Sequence, residues 1–474
     1  MSGDEKVLLG ILVKLEKRAQ RVSGGKLFDE GLDAYLDLQE QLFELQVEVQ
    51  TAIAEAKRRG PKNAEVLDYL NKLRWVRWQS RRLGDAIAWQ ALLLNRQVIY
   101  ALAENDPVPV PSSWSEGHRG AFQFARSMTS SEWGIPIVHD ITNVLRIGDL
   151  TFMRPTGLAA EADYRTIELK TSRLDEREIE GGKTTVTLGI TAISTEPFPS
   201  YVTDPPHSNP DHTPNTTRRR RADRRIERQL ARMEIATASK NAPLHKSTKI
   251  GNQHVFPISL PEEQKPHWKE LRRAIRHARR DGNAYFELGG FVGYSLIYNS
   301  DGVSSEDILS TSLNHDVRGL LHEEIGDRNS ITLSMIPDND QDTYSSRVLP
   351  FYLWEVPQRA VRDILRNRLV IAATYNSGWM EKLLANAGLT IVPDETDRDR
   401  RGFEVIASFG WEGEARAEYH FHVWEEMFVA VHEFRGPDAV VQRALAPTSL
   451  PTLVKFEEFI PAEGPADNGG RQHP

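Results

Sequence analysis

Asp149, Glu168 and Lys170 have the types and the spacing to hold a cation and act on a phosphate ester. Glu168 and Lys170 stand two apart in Tyr164-Arg-Thr-Ile-Glu-Leu-Lys-Thr-Ser172, where apolar and polar residues alternate. Successive side chains of a β-strand point to opposite faces, so Glu168 and Lys170 would share one face while Ile167 and Leu169 turn to the core. Asp149 opens a second alternating run, Ile147-Gly-Asp-Leu-Thr-Phe152. If the two runs pair, Asp149 stands beside Glu168. Two carboxylates can hold a divalent cation that leaves positions open for water and for a phosphate oxygen. A nearby lysine can orient that water or offset the developing charge. Glu-x-Lys alone is also what a plain strand salt bridge looks like, so the surroundings must decide.

The elements around these residues read as follows. Apolar spacings of three and four predict helices from residue 4 to about 83, with Asn63 as the N-cap of the third. A further helix is expected after Gly84, with Asp85 as its cap. Arg74-Trp-Val-Arg-Trp78 and Arg81-Arg82 fall in the third helix. They read either as phosphate and base contacts or as core tryptophans rimmed by arginine. After Pro107-Val-Pro-Val-Pro111 a short helix is expected from about Glu116 to Met128. Three strands follow in an antiparallel meander: 135–146, the run opened by Asp149, and the run carrying Glu168. Another strand is expected at 184–193, then a proline-rich insertion near 195–217.

Beyond it, Arg218 to Met233 carries an apolar stripe flanked by Arg221, Arg225, Arg228 and Arg232, with Gln229 at the border. Such a stripe suits a phosphate polymer or is simply a solvated helix face. A second basic helix is expected at 264–280, with Lys269, Arg272, Arg273, Arg276, Arg279 and Arg280. Further on, strands are expected at 285–298, 331–336, 349–356, 369–374, 389–392 and 403–409. Helices are expected at 358–368 and 379–386, and a flexible tail from 436.

The order Gly-Asp at a strand start, Glu-Leu-Lys-Thr on the next strand, then a Gln-bearing arginine helix resembles the PD-(D/E)XK nuclease superfamily. The resemblance implies an α/β fold: a restriction-endonuclease-like mixed sheet flanked by helices, over roughly residues 84–300. An N-terminal helical hairpin or bundle (1–83), a C-terminal α+β region (301–435) and a tail (436–474) would surround it. It implies a metal-dependent nuclease on DNA, in restriction or anti-phage defence, with Asp149, Glu168 and Lys170 catalytic. Asp149 and Glu168 would hold Mg²⁺, or Mn²⁺ in its place. Gln229, Arg225, Arg228 and Arg232 would meet nucleic acid. The proline of the nominal motif is absent, and an additional helix acid has Asp85 and Glu116 as candidates. The other reading keeps the fold without cleavage, as a nucleic-acid-binding or scaffolding protein.

Composition narrows the field. The 474 residues contain no cysteine, which excludes disulfides and thiolate chemistry. No apolar run is long enough to span a bilayer, and no secretory pattern opens the chain, which fits a cytoplasmic protein. The net charge of −8 means that any contact with nucleic acid needs local basic patches. The N-terminal helices are a candidate surface for self-association or a protein partner. His420 and His422 share one strand face with His432 nearby, a weaker metal alternative. Gly289-Gly-Phe-Val-Gly293 lacks the lysine of a phosphate loop.

Overall fold

In the computed structural model the described residues are 3–23, 30–60, 63–103, 110–129, 133–155, 162–179, 183–194, 231–234, 236–237, 248–250, 253–255, 265–304, 307–308, 331–337, 348–393, 403–410 and 416–445. The class is mixed α/β. Helices α1 (Gly3–Val22), α2 (Leu32–Arg58) and α3 (Ala64–Ala91) open the chain, followed by α4 (Arg96–Leu102) and α5 (Glu116–Ser127). Asn63 caps α3 as its sequence predicts, accepting from the Glu65 amide at 2.9 Å.

The helix break expected at Gly84 is absent, and the boundary expected at 83/84 falls inside α3. Gly84 serves packing instead. A Cβ there would lie 1.8 Å from the Ile141 carbonyl oxygen, so only glycine lets that backbone approach α3.

The first sheet is a meander in the order β1 (Ile135–Val138), β2 (Leu150–Pro155), β3 (Ala162–Ile179), β4 (Lys183–Ser194). It follows α5 as expected. The strand expected over 135–146 ends at Val138, and residues 139–141 form a short 3-10 turn. Leu150 lies opposite Ile167. All strand pairings among the described residues are antiparallel, so the mixed character expected of the sheet is not seen there.

A small hairpin, β5 (Thr248–Ile250) and β6 (Gln253–Val255), precedes α6 (Trp268–Asp281). The single strand expected at 285–298 is a hairpin, β7 (Asn283–Leu288) and β8 (Val292–Tyr298). Gly289 and Gly290 make its turn at φ of 59° and 68°. With β9 (Ile331–Ile336) and β10 (Leu369–Asn376) it forms a second sheet, β7-β8-β10-β9. The stretch expected as a strand at 349–356 holds a 3-10 turn, Phe351–Leu353. Proline at 350 and the packing of Phe351 and Tyr352 into the core favour that turn over an extended ladder.

Helix α7 (Gln358–Leu365) precedes β10, and α8 (Ser377–Asn386) follows it. A third sheet, β11 (Thr390–Pro393), β12 (Phe403–Gly410) and β13 (Arg416–His422), leads to α9 (Val423–His432). The tail expected from 436 begins with a helix, α10 (Asp438–Leu445), whose Val440 and Ala444 are buried.

One apolar core runs from α1 through both larger sheets to α10. Helix α3 lies between those sheets. Toward the second, the Gln79 amide donates to the Leu365 carbonyl at 3.1 Å and the Tyr352 hydroxyl donates to the Gln79 carbonyl at 3.1 Å. Trp78 stacks near Phe351 and is buried, as are Arg81 and Arg82. Of the two readings of that tryptophan–arginine stretch, the core one holds for these residues.

Candidate metal-binding carboxylate site

The site is built from α2 and α3 outward. Gln39 and Gln46 sit on the buried face of α2. Gln39 pairs with the edge of β1 opposite β2, where no strand lies among the described residues, as a neighbouring strand would. Its amide donates to the Pro136 carbonyl at 3.0 Å, and its oxygen accepts from the Val138 amide at 2.9 Å. Gln46 donates to the Ile141 carbonyl at 2.9 Å.

From α3, Asp85 accepts from the Asn143 and Val144 amides at 2.6 and 3.0 Å and pairs with Arg82 at 3.3 Å. Asp85 is therefore neither the N-cap nor a spare acid: it is fully buried within α3, with Oδ1 on the 143 and 144 amides and Oδ2 on Arg82. Arg81 donates to the Asp140 and Thr142 carbonyls and to Asn143 Oδ1. Burial lowers its pKa to about 10, which leaves it charged at neutral pH.

That anchored turn holds the segment before β2. The His139 amide donates to the Asp149 carbonyl at 3.0 Å. The ring Nδ1 of His139 lies 3.0 Å from the Gly148 carbonyl and must donate to it; Nε2 meets Thr151 Oγ1 at 2.8 Å. Gly148 adopts φ of 80°, and a Cβ there would come within 2.7 Å of Thr166 Cγ2. Glycine thus lets the chain turn tightly against β3 just before the acid.

Asp149 is then fixed from both ends. Its amide donates to the Ile167 carbonyl at 2.8 Å, and its carboxylate accepts from the Leu169 amide at 2.6 Å. Glu168, 3 % exposed, forms an ion pair with Lys170, whose side chain is about one-third exposed. The structure therefore brings Asp149, Glu168 and Lys170 together where β2 begins against β3. Burial, and next the Glu168 charge, push the Asp149 carboxyl up to about 7, despite the Leu169 N–H and Lys170 that favour its charged form. Asp140 adds to that upward push. It faces His118 of α5 at 3.6 Å.

The other sequence candidates lie elsewhere. Glu116 is half-buried in the first turn of α5. Gln229, Arg225 and Arg228 lie outside the described residues, as does the insertion near 195–217. Arg232 is described and exposed, beside the buried Met233. His432 is buried and engaged at both ring nitrogens, with the Phe428 carbonyl at 2.8 Å and Ser334 Oγ at 3.0 Å. Burial lowers its pKa to about 4. It is a satisfied core histidine. Among the described residues no group of three or more His, Asp or Glu side chains is placed to hold a metal. The described donor set at the site is the Asp149–Glu168 pair.

Sequence reading missed Gln39, Gln46, His139 and Asp140. The available signal was polar residues seven apart at positions 39 and 46, within an otherwise apolar helical stripe. No helix among the described residues is long and apolar enough to cross a membrane. Comparison with protein-family models, with curated proteins and with solved structures finds no match.

Proposed function

We propose that the chain is a Mg²⁺-dependent nuclease that hydrolyses DNA phosphodiesters, built on a restriction-endonuclease-like core. The observation that carries the reading is the meeting of Asp149, Glu168 and Lys170 at one end of the β2–β3 pair. The order α5, β1, β2, β3 as a helix followed by a meander supports the same reading. A setting in restriction or anti-phage defence rests on the family resemblance alone.

The residues fit a hard cation. Asp149 and Glu168 offer oxygen only, the donor type that Mg²⁺ and Mn²⁺ take. Asp149 is poorly solvated beside another carboxylate, so positive charge between them relieves a repulsion built into the fold. Asp149 and Glu168 are the residues that would hold Mg²⁺, which would supply an activated water and a positive charge for a phosphoryl oxygen. The Leu169 amide keeps one Asp149 oxygen in place. Lys170 is partly exposed and already adjacent, so it can swing from Glu168 toward a phosphate and offset the charge that develops there.

The experiment incubates purified protein with linear, circular and single-stranded DNA and with RNA, with Mg²⁺, Mn²⁺ or EDTA. Asp149→Asn, Glu168→Gln and Lys170→Ala are assayed alongside. Metal-dependent cleavage of DNA that all three variants lose supports the reading, and cleavage that all three retain sinks the site. A second reading is binding without cleavage. The observation in its favour is that Lys170 is closed onto Glu168, which satisfies that carboxylate without a metal. DNA binding with no cleavage under any of these conditions favours it.

A further inference from the structure

We infer that α6, together with the start of α7, is a docking platform for the phosphate backbone of double-stranded DNA, separate from the carboxylate site. The inference rests on the nucleic-acid reading above and adds a surface to it.

Helix α6 packs on β7 and β8, not on the sheet that carries Asp149 and Glu168. Its apolar side, Trp268, Leu271, Ala274, Ile275 and Ala278, is buried. Its basic residues divide into two sets. Arg272 and Arg279 hold the helix in place. Arg272 donates to the Glu355 carbonyl at 3.1 Å, and Arg279 binds Asp363 at 2.9 and 2.6 Å through Nε and Nη2. These two tethers lay α6 beside the 355–363 segment and α7.

Lys269, Arg273 and Arg276 form the other set. They are exposed, and among the described residues none of the three makes an ion pair. Arg359 and Arg362 of α7 are likewise exposed, with no ion pair among the described residues. The acids near this face are committed: Glu270 lies 3.7 Å from His267, Glu355 lies 3.6 Å from Arg272, and Asp281 pairs with Arg280 at 2.7 Å. In a chain of net charge −8, five outward cations on two joined helices form a local positive field.

The partner follows from what the surface has and lacks. Lys269 to Arg276 covers about 10 Å of helix axis at 1.5 Å per residue. That matches about three phosphates of one strand at 3.4 Å each. A membrane-binding helix would need its apolar side for lipid, and here that side is buried in the protein. Single-strand binding uses exposed aromatic rings to stack bases, and the aromatic residue of α6, Trp268, is 8 % exposed. Cations without stacking rings suit the duplex backbone, read without sequence.

The test uses the full chain in EDTA, so that binding is read without cleavage. The probes are a random 20-base-pair duplex, one of its single strands and vesicles of phosphatidylcholine with phosphatidylserine. Affinity is measured between 50 and 200 mM salt for the parent and for Lys269→Gln/Arg273→Gln/Arg276→Gln. Each lost phosphate contact should reduce the slope of log affinity against log salt by about 0.9, so the triple variant should lose about 2.7. Over that salt range the parent should weaken by a further factor of about 40 that the variant does not show. The Lys form, Arg273→Lys/Arg276→Lys, should bind the duplex like the parent.

An unchanged slope in the triple variant overturns the platform, as does absence of duplex binding by the parent. Tighter binding to vesicles or to the single strand overturns the choice of duplex DNA. Cleavage is scored separately. Cleavage that persists undiminished in the triple variant at 200 mM salt counts against the platform and leaves the nuclease reading standing. Platform-dependent binding with no cleavage supports the platform and counts against the nuclease.

Discussion

Replacing Asp149 by asparagine should stabilise the metal-free protein, and by an amount set by pH. Desolvation, and next the Glu168 charge, push the half-buried carboxyl up from an ordinary 3.8 to about 7. The native state therefore holds the proton more tightly than the unfolded chain does. For an acid whose folded pKa is raised, the stabilising contribution is complete below 3.8 and is lost as pH climbs to 7. Between those values the loss runs at about 1.4 kcal/mol per pH unit, or about 4 kcal/mol in all, with roughly 2 to 3 kcal/mol of it between pH 5 and pH 8. An asparagine amide keeps an oxygen for the Leu169 N–H and carries no charge, so the substitution removes the slope.

The assay is urea unfolding of parent and Asp149→Asn in EDTA at pH 5, 6, 7 and 8. Only the difference between the two is informative, since other groups titrate in the same range. The variant should gain on the parent by about 2 to 3 kcal/mol from pH 5 to pH 8. Added Mg²⁺ at pH 8 should then stabilise the parent by mass action and leave the variant unmoved. A difference that stays constant with pH would show that Asp149 is not a buried carboxyl held beside a second negative charge, and the case for the pair would fail.

Further outcomes can be measured on the same preparations. His432 has the opposite sign: its folded pKa of about 4 lies below the ordinary 6.5, so its contribution is present above 6.5 and fades as pH falls toward 4. His432→Gln should flatten an acid-side loss of about 3 kcal/mol in urea unfolding, and an unaltered acid limb would contradict a buried neutral ring. Asp85→Ala strips the 142–144 turn of its acceptor and leaves Arg82 buried without that partner. Denaturation should show a cost of about 3 kcal/mol or more, and a cost under about 0.5 kcal/mol would contradict the burial. Gly148→Ala forces a side chain onto a positive φ and against Thr166 and Ile167, so it should cost about 1 to 3 kcal/mol in urea unfolding and lower metal-dependent cleavage at least tenfold. Full activity in that variant would mean that the turn before Asp149 tolerates other shapes.

Much of the site is legible in the sequence because it lies on strands. Period-two alternation puts Glu168 and Lys170 on β3, and the meander puts Asp149 at the start of β2. The class, mixed α/β, follows from the same periodicities. The apparatus behind the site is not legible, since it depends on contacts far apart in the chain. Gly84 reads as punctuation because glycine is a poor helix former, yet tertiary approach of Ile141 outweighs that local preference. Asp85 reads as a cap for the same reason. Its real partners, Asn143 and Val144, lie nearly sixty residues on. The glycine pair at 289–290 sits inside an alternating run that hides the turn, although two adjacent glycines are a hairpin signal. Position 436 reads as the start of a tail because proline and glycine cluster there, but α10 finds a buried seat that its short length alone would not announce.

The place of α3 between the two larger sheets bears on how such a chain can be divided or recombined. Gln79 and Arg82 look to the Leu365 and Val348 carbonyls, while Arg81 and Asp85, on the same two turns, look to residues 140–144. A fragment that ends before residue 348 would keep the carboxylates but take away the carbonyls that Gln79 and Arg82 bond and lay bare the apolar side of α3 around Trp78. The remaining piece, bearing α7 and β10, would in turn lose the helix that Tyr352 and Phe351 lie against. Neither half is a cassette that gene fusion could transplant intact. The two sheets should be inherited together, and swaps between related chains should succeed only where the crossover carries α3 with the residues from 348 to 365.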